Sequence, residues 1–136
     1  MIHGSSLAIY HSISSDLAEV DAVCKDARKL LECQNQTRHA FAVDLLLREF
    51  LNNAILHGHR SDIRKQVRVA VRVGRKWIIL RIVDEGPGFD WRTMKRAPAD
   101  EAATSGRGLA IGAQYAQRMQ FNRAGNQITL WIRKTD

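Results

Sequence analysis

Three short segments of the chain combine residue types that could bind a phosphorylated ligand, and the first has helical periodicity. Glu49 and Asn53 lie four positions apart within 49–58, so on a helix they project from the same face. An Asn side-chain oxygen is a suitable ligand for Mg²⁺, and a nearby carboxylate can accept a proton from an attacking hydroxyl group or water. Taken alone, the pair is more typical of a polar surface that faces solvent, and in isolation that interpretation is favoured.

The second segment, Asp-Glu-Gly-Pro-Gly-Phe-Asp at 84–90, directly follows an apolar strand pattern. We expect Asp84 to direct its carboxylate into a cleft at the end of that strand, where it can accept hydrogen bonds from a ligand amine. Gly86 and Gly88 would let the backbone approach the ligand closely. The alternative is a Pro-Gly turn that only ends the strand, but the D-x-G-x-G spacing after a strand favours a binding site.

The third segment, at 104–109, precedes and opens a predicted helix. Its glycines would expose backbone N–H groups at the helix N-terminus, which is a favourable place for an anion. Arg107 adds a fork of donors for phosphate oxygens. A lone Gly-x-Gly is also typical of a flexible hinge, so this segment is the least specific of the three. Its candidate binding residues are Thr104, Ser105, Gly106, Arg107, Gly108 and Leu109.

The hydrophobic pattern predicts the elements that must position these segments. They are, in chain order, a strand at 6–13, a helix from 17 to about 32, a helix at 37–58, a strand hairpin at 66–73 and 77–83, a helix at 108–119, and a last hairpin at 121–122 and 127–133. In this order, neighbouring strands are joined by hairpins rather than by βαβ crossovers. We therefore predict an α+β fold, a two-layer α/β sandwich whose largely antiparallel mixed sheet carries three helices on one face.

The sheet face without helices would be in contact with water, which accounts for Arg68, Arg72 and Arg81 inside strands. A nucleic-acid platform would need aromatic side chains interleaved with these arginines. Only Trp77 and Trp131 are candidates, so we favour a solvated face.

Composition limits the class of protein. With 136 residues, 45% of them hydrophobic and 26% charged, residues 1–136 are expected to form one soluble domain. No apolar run approaches the ~20 residues of a membrane helix, and the N-terminus lacks the pattern of a signal peptide. Cys24 and Cys33 would lie on opposite faces of one helix and cannot pair, so we expect a cytoplasmic protein. The net charge of +7 favours an anionic partner.

In their order and separation, the three segments together resemble the Bergerat-fold ATPases, the histidine-kinase-like superfamily that includes gyrase, histidine kinases and mismatch-repair ATPases. The Glu49/Asn53 segment resembles the N box, 84–90 the G1 box, and Gly-Arg-Gly-Leu at 106–109 the G2 box. The resemblance covers nearly the whole chain. It implies ATP and Mg²⁺ as cofactors and a lid at about 91–105.

Within that superfamily, sensor histidine kinases usually carry Asn where Glu49 stands and Lys where Leu56 stands. A chain of this size with E-x-x-x-N-A-x-x-H-G and a short lid most resembles the bacterial anti-sigma factor serine kinases of partner-switching modules. The resemblance implies that Glu49 is the general base toward a protein serine or threonine hydroxyl and that Asn53 ligates Mg²⁺. It also implies that Asp84 binds the adenine amino group.

The same resemblance implies that Gly86 and Gly88 shape the adenine pocket and that 106–108 hold the phosphates. The family often has Thr where Asn126 stands, which leaves the role of Asn126 open. His57 is expected to be a structural residue at a helix end, and Trp91 has no assigned role.

The implied activity is that of an ATP-dependent serine/threonine-protein kinase and anti-sigma factor. Its partners would be a small anti-anti-sigma (STAS-type) antagonist, which it phosphorylates, and a sigma factor or equivalent regulator, which it sequesters. A homodimer is implied as well. The alternative is a nucleotide-binding sequestration module without kinase turnover, but ATP binding alone needs no base at Glu49. We expect no membrane partner, and no nucleic-acid partner because no recognition motif accompanies the charge.

Overall fold

The computed structural model describes residues 7–58, 62, 64–87 and 105–135, with only the backbone described at 57–58 and 105–107. The regular elements are β1 (Leu7–Ser14), α1 (Leu17–Cys33), α2 (Ala40–Asn53), β2 (Gln66–Val73), β3 (Trp77–Val83), α3 (Ser105–Tyr115), β4 (Arg118–Phe121) and β5 (Gln127–Arg133). A 3₁₀ turn at Thr37–His39 precedes α2, and a π-helical turn at Ala54–Gly58 follows it.

The strands form one sheet in the order β1-β2-β3-β5-β4. All four neighbouring pairs among these described strands are antiparallel, so this part of the chain has no mixed character. The prediction of an α+β fold with a largely antiparallel sheet and three helices is confirmed. β3 lies at the centre of the sheet, and its C-terminal end leads directly into the second sequence segment.

Alternate residues of the strands are apolar, and these residues pack against the apolar faces of the helices on one side of the sheet. In β2, Val67, Val69, Val71 and Val73 are all buried, and the arginines between them are exposed. Burying an apolar side chain of this size contributes about 1.5–3 kcal/mol, so the alternation fixes which face the helices cover. The helices close this core with Val23, Leu31, Leu46, Leu47 and Leu51, each no more than 1% exposed.

Local signals define the first helix. Asp16 caps α1 by accepting a hydrogen bond from the Ala18 N–H at 2.9 Å, which satisfies a donor that the helix leaves without a partner. At the other end Asn35 adopts a left-handed conformation, with φ of 57°, and a residue in this conformation ends a helix.

Cys24 is buried, Cys33 is exposed, and both are free thiols, as predicted.

The third helix was predicted over 108–119, and both ends of that prediction are wrong. α3 begins at Ser105 and ends at Tyr115, and β4 starts at Arg118. Met119 and Phe121 alternate toward the core and pair with Leu130 and Ile128 of β5. The apolar spacing alone was compatible with a longer helix, but from Arg118 onward the backbone pairs with β5 and forms a strand.

No helix in the described part of the chain is long and apolar enough to cross a membrane.

Candidate active site

The polar pair of α2 faces the start of α3 at Gly108. A β-carbon added to Gly108 would lie 2.9 Å from Asn53 Nδ2 and 3.7 Å from Glu49 Oε1. Only a residue without a side chain lets α3 lie this close to the pair. The structure thus brings the first and third sequence segments together, although they lie far apart in the chain.

The position of this pair follows from the packing of α2. Leu46, Leu47 and Phe50 face the core and are buried, which leaves Glu49 and Asn53 on the border of that apolar face. Both side chains are only partly exposed. The interpretation of a polar pair that simply faces solvent is therefore wrong, because the pair lies against a neighbouring helix.

Asn53 is the last α-helical residue before the chain widens into the π-helical turn at Ala54–Gly58. Such turns are rare and frequently occur at functional sites. Here the turn lies within the segment that resembles the N box, and it keeps Ala54 and Ile55 buried. The side chain of His57 lies outside the described residues, so its predicted structural role stays a prediction.

The second segment is held in place by its own carboxylate. Asp84 directly follows β3, and its Oδ1 accepts a hydrogen bond from the Gly86 N–H at 2.7 Å. The Asp84 N–H in turn donates to the Asn126 carbonyl at 2.9 Å. Gly86 is buried, so the turn after β3 is held in a defined conformation and is not a loose strand end.

Asn126, in the turn between β4 and β5, binds the turn that follows β3. Its Nδ2 donates to the Gly86 carbonyl at 3.3 Å, and its Oδ1 accepts from Asn122 Nδ2 at 2.7 Å. The residue whose role the sequence left open therefore links the last hairpin to the turn that follows the central strand. It acts here by positioning that turn.

Asn122 is a site-supporting residue that sequence reasoning missed. Its Oδ1 accepts hydrogen bonds from the backbone N–H groups of Gly125, Asn126 and Gln127, at 2.8, 3.0 and 3.1 Å. Gly125 has a φ of 82°, a conformation that favours glycine. The available signal was the Asn-x-x-Gly spacing at 122–125, since Asn side chains commonly cap the backbone of such turns.

Several predicted site residues lie outside what the structure describes. Gly88, Thr104 and most of the predicted lid at 91–105 are among them, as is Trp91. The first turn of α3 contains Ser105, Gly106 and Arg107, of which only the backbone is described. Leu109 is 8% exposed, which leaves its backbone rather than its side chain for any ligand.

The arrangement fits a nucleotide with Mg²⁺. The leading N–H groups of α3 have no acceptor within the helix, and the fourth residue of α3, Gly108, lies beside Asn53 and Glu49. Proteins usually hold Mg²⁺ by one or two side-chain oxygens together with substrate phosphates. Within the described ranges, no three His, Cys, Asp or Glu side chains cluster so as to hold a metal ion. The amide oxygen of Asn53 would thus act with phosphate oxygens as a ligand.

A two-layer α/β domain that sets a glycine at the start of one helix against an acidic and amide pair on another has the architecture of a phosphate-binding ATPase domain. The family model described as a histidine kinase-like ATPase domain matches residues 13–134. The chain belongs to this family. Membership implies ATP as the ligand, usually with Mg²⁺. No curated protein is significantly similar to the chain.

Proposed function

We propose that the chain is an ATP-dependent serine/threonine-protein kinase and anti-sigma factor of the partner-switching type. It would phosphorylate a small anti-anti-sigma (STAS-type) antagonist and sequester a sigma factor or equivalent regulator. The observation that carries the kinase proposal is the position of the Glu49 carboxylate, 3.7 Å from where a β-carbon of Gly108 would lie, at the phosphate-binding end of the site.

Binding of ATP alone would not require a carboxylate at this position. Negative charge beside the phosphates of a nucleotide is unfavourable unless the group does chemical work. A carboxylate that can accept a proton from an incoming serine or threonine hydroxyl does such work, and general-base catalysis typically accelerates a reaction by about 10²–10⁴. Glu49 supports a kinase rather than a passive nucleotide-binding module for this reason.

The other residues of the site bind and orient. Asn53 would contribute a Mg²⁺ ligand, and the first turn of α3 would bind phosphate oxygens through backbone N–H groups. Asp84 would accept a hydrogen bond from the adenine amino group, with Gly86 giving the base room to approach. When bound, Mg-ATP supplies the phosphoryl group, and transfer then depends mainly on positioning and on neutralising charge.

The protein partners in this proposal are supported by the resemblance and by charge. A net charge of +7 accelerates encounter with acidic proteins. We also propose a homodimer on the resemblance alone.

The test is transfer of the γ-phosphate of ATP to the small antagonist-like proteins of the source organism, comparing wild type with Glu49→Gln. We expect serine or threonine labelling in wild type, a loss of about 10²-fold or more in the variant, and a Mg-ATP affinity of the variant no weaker than that of wild type, because the substitution removes a negative charge. Glu32→Gln is a matched control, because Glu32 is exposed on α1, away from the site.

Two outcomes would contradict the kinase proposal. Equal labelling by wild type and Glu49→Gln would remove Glu49 from the role of base. Absence of labelling, with Mg-ATP bound and a protein partner retained, would leave a sequestration module that holds nucleotide without turnover.

A further inference from the structure

The face of the sheet that carries no helices, here called the outer face, is strongly basic. Five arginines project from it, and each is exposed: Arg68, Arg72, Arg81, Arg118 and Arg133. The outward positions of the five described strands hold no Asp, no Glu and no Lys. The basic residues that project from this sheet are therefore all guanidinium groups, which can pair with a carboxylate through two parallel hydrogen bonds.

The outer face is also more apolar than the sequence suggested. Tyr10 is 69% exposed, and it is the third aromatic side chain on this face, in addition to Trp77 and Trp131. Cross-strand register places Ile79 between Arg72 and Trp131, and Trp131 opposite Arg118. This row across the sheet thus holds two apolar side chains between two cationic ones, with no charge of the opposite sign.

Two of the arginines are held in place by the tryptophans. Arg118 Cζ lies 4.9 Å from the ring centroid of Trp131, and Arg133 Cζ lies 5.5 Å from that of Trp77. These distances are within the range of cation–π attraction. A guanidinium ordered in this way loses less conformational freedom when it binds a partner.

We propose that the outer face is a docking surface for a protein partner with an acidic surface. Arg, Trp and Tyr are the residue types enriched where protein interfaces concentrate their binding energy, and Lys is depleted there. The extent of the sheet agrees with this use. Four strands of seven or eight residues and one of four, about 4.8 Å apart, cover roughly 500 Å², which is more than half of the ~800 Å² of one side of a standard interface.

The same observations disfavour two other occupants. Single-stranded nucleic acid would stack its bases on exposed aromatic rings, but guanidinium groups already lie over Trp77 and Trp131. A second copy of this chain would bring five arginines against five, and like charges across an interface cost several kcal/mol. The inference goes beyond the proposed kinase activity, since it depends on the sheet face alone.

The test measures binding of a fluorescent peptide of repeating Glu-Glu-Leu-Leu units to the full chain by anisotropy. Arg72→Gln with Arg81→Gln should weaken binding about tenfold, from two ion pairs worth up to about fivefold each. The matched control is Arg28→Gln with Lys29→Gln, two exposed cations on α1, and it should change affinity little. The indole N–H signals of Trp77 and Trp131 in wild type should shift on titration, which keeps the test valid if a variant misfolds.

Three results would overturn the proposal. Equal weakening by the control pair, or indole signals that stay unchanged, would mean that the peptide responds only to overall charge. Tighter binding of oligothymidylate of the same length, lost in the outer-face variant, would identify a nucleic-acid surface. A dimer in sedimentation equilibrium that the outer-face variant dissociates would identify a second copy as the occupant.

Discussion

Gly108→Ala tests the geometry of the site most directly. The new methyl carbon would lie 2.9 Å from Asn53 Nδ2, whereas ordinary van der Waals contact begins at 3.4 Å. The amide, the start of α3 or both must therefore move by about half an ångström. Mg²⁺ requires oxygen ligands at about 2.0–2.1 Å in nearly octahedral geometry, so a displacement of this size is enough to abolish the proposed coordination by Asn53.

The expected result is a loss of Mg-ATP affinity of about 10–100-fold, the usual effect of disturbing a residue that orients a metal ligand. Stability should change little, because replacing glycine with alanine in a helix contributes up to about 1 kcal/mol and offsets part of the crowding. The assay is isothermal titration with ATP at fixed Mg²⁺, together with thermal unfolding of the free protein.

Gly112→Ala is the matched control, one helical turn further along α3. Its methyl carbon would lie 2.5 Å from Sδ of Met119, a partly buried side chain that packs against the core rather than at the site. Because the flexible Met119 side chain can move and the alanine favours the helix, we expect the free energy of unfolding to change by no more than about 1 kcal/mol and the affinity to stay nearly unchanged. Wild-type Mg-ATP affinity in folded Gly108→Ala would refute the placement of the nucleotide beside Asn53.

Further predictions concern the last turn and the buried thiol. Asn126→Ala removes the hydrogen bond to the Gly86 carbonyl and should weaken ATP binding about fivefold by titration, at about 1 kcal/mol for one such bond. Asn122→Ala leaves three turn N–H groups without that acceptor and should lower the free energy of unfolding by about 1–3 kcal/mol in urea titration. Burial raises the pKa of Cys24 from 9.0 to about 11, so the native protein retains a proton that the unfolded chain loses. Its free energy of unfolding should therefore fall between pH 9 and 11, with a shallower decline in Cys24→Ala, and a thiol reagent at neutral pH should modify Cys33 first. A wild-type ATP affinity in Asn126→Ala would contradict the first of these explanations. The same pH dependence of the free energy of unfolding in wild type and in Cys24→Ala would contradict the last.

Strong local periodicity made much of the fold predictable. The β2–β3 hairpin follows from four alternating valines and a glycine turn, and α1 follows from its apolar spacing and its cap. The end of α3 was not predictable in this way, because Met119 satisfies both a helical pattern and a strand pattern. Pairing with Leu130 decides between them, and such pairing is a property of the tertiary structure.

The candidate site, like the fold, was predictable from the sequence only in part. Residue types and order indicated that Glu49, Asn53 and Asp84 belong to a nucleotide site. The sequence could not show that Gly108 is the residue in contact with Asn53, because that depends on how α2 and α3 pack. Nor could it show that Arg118 covers Trp131, since only the register between β4 and β5 brings them together.

The order of the strands also has a consequence for how the site opens. Asp84 directly follows the central strand β3, and Asn126 immediately precedes the neighbouring strand β5, so the hydrogen bond from the Asp84 N–H to the Asn126 carbonyl extends the β3–β5 pairing by one step. Edge strands open by local fluctuations, whereas central strands exchange their amide protons mostly through global unfolding. The Asp84 amide should therefore exchange with deuterium more slowly than the end amides of the edge strands β1 and β4, and the turn that is proposed to line the adenine pocket should open less often than those edges.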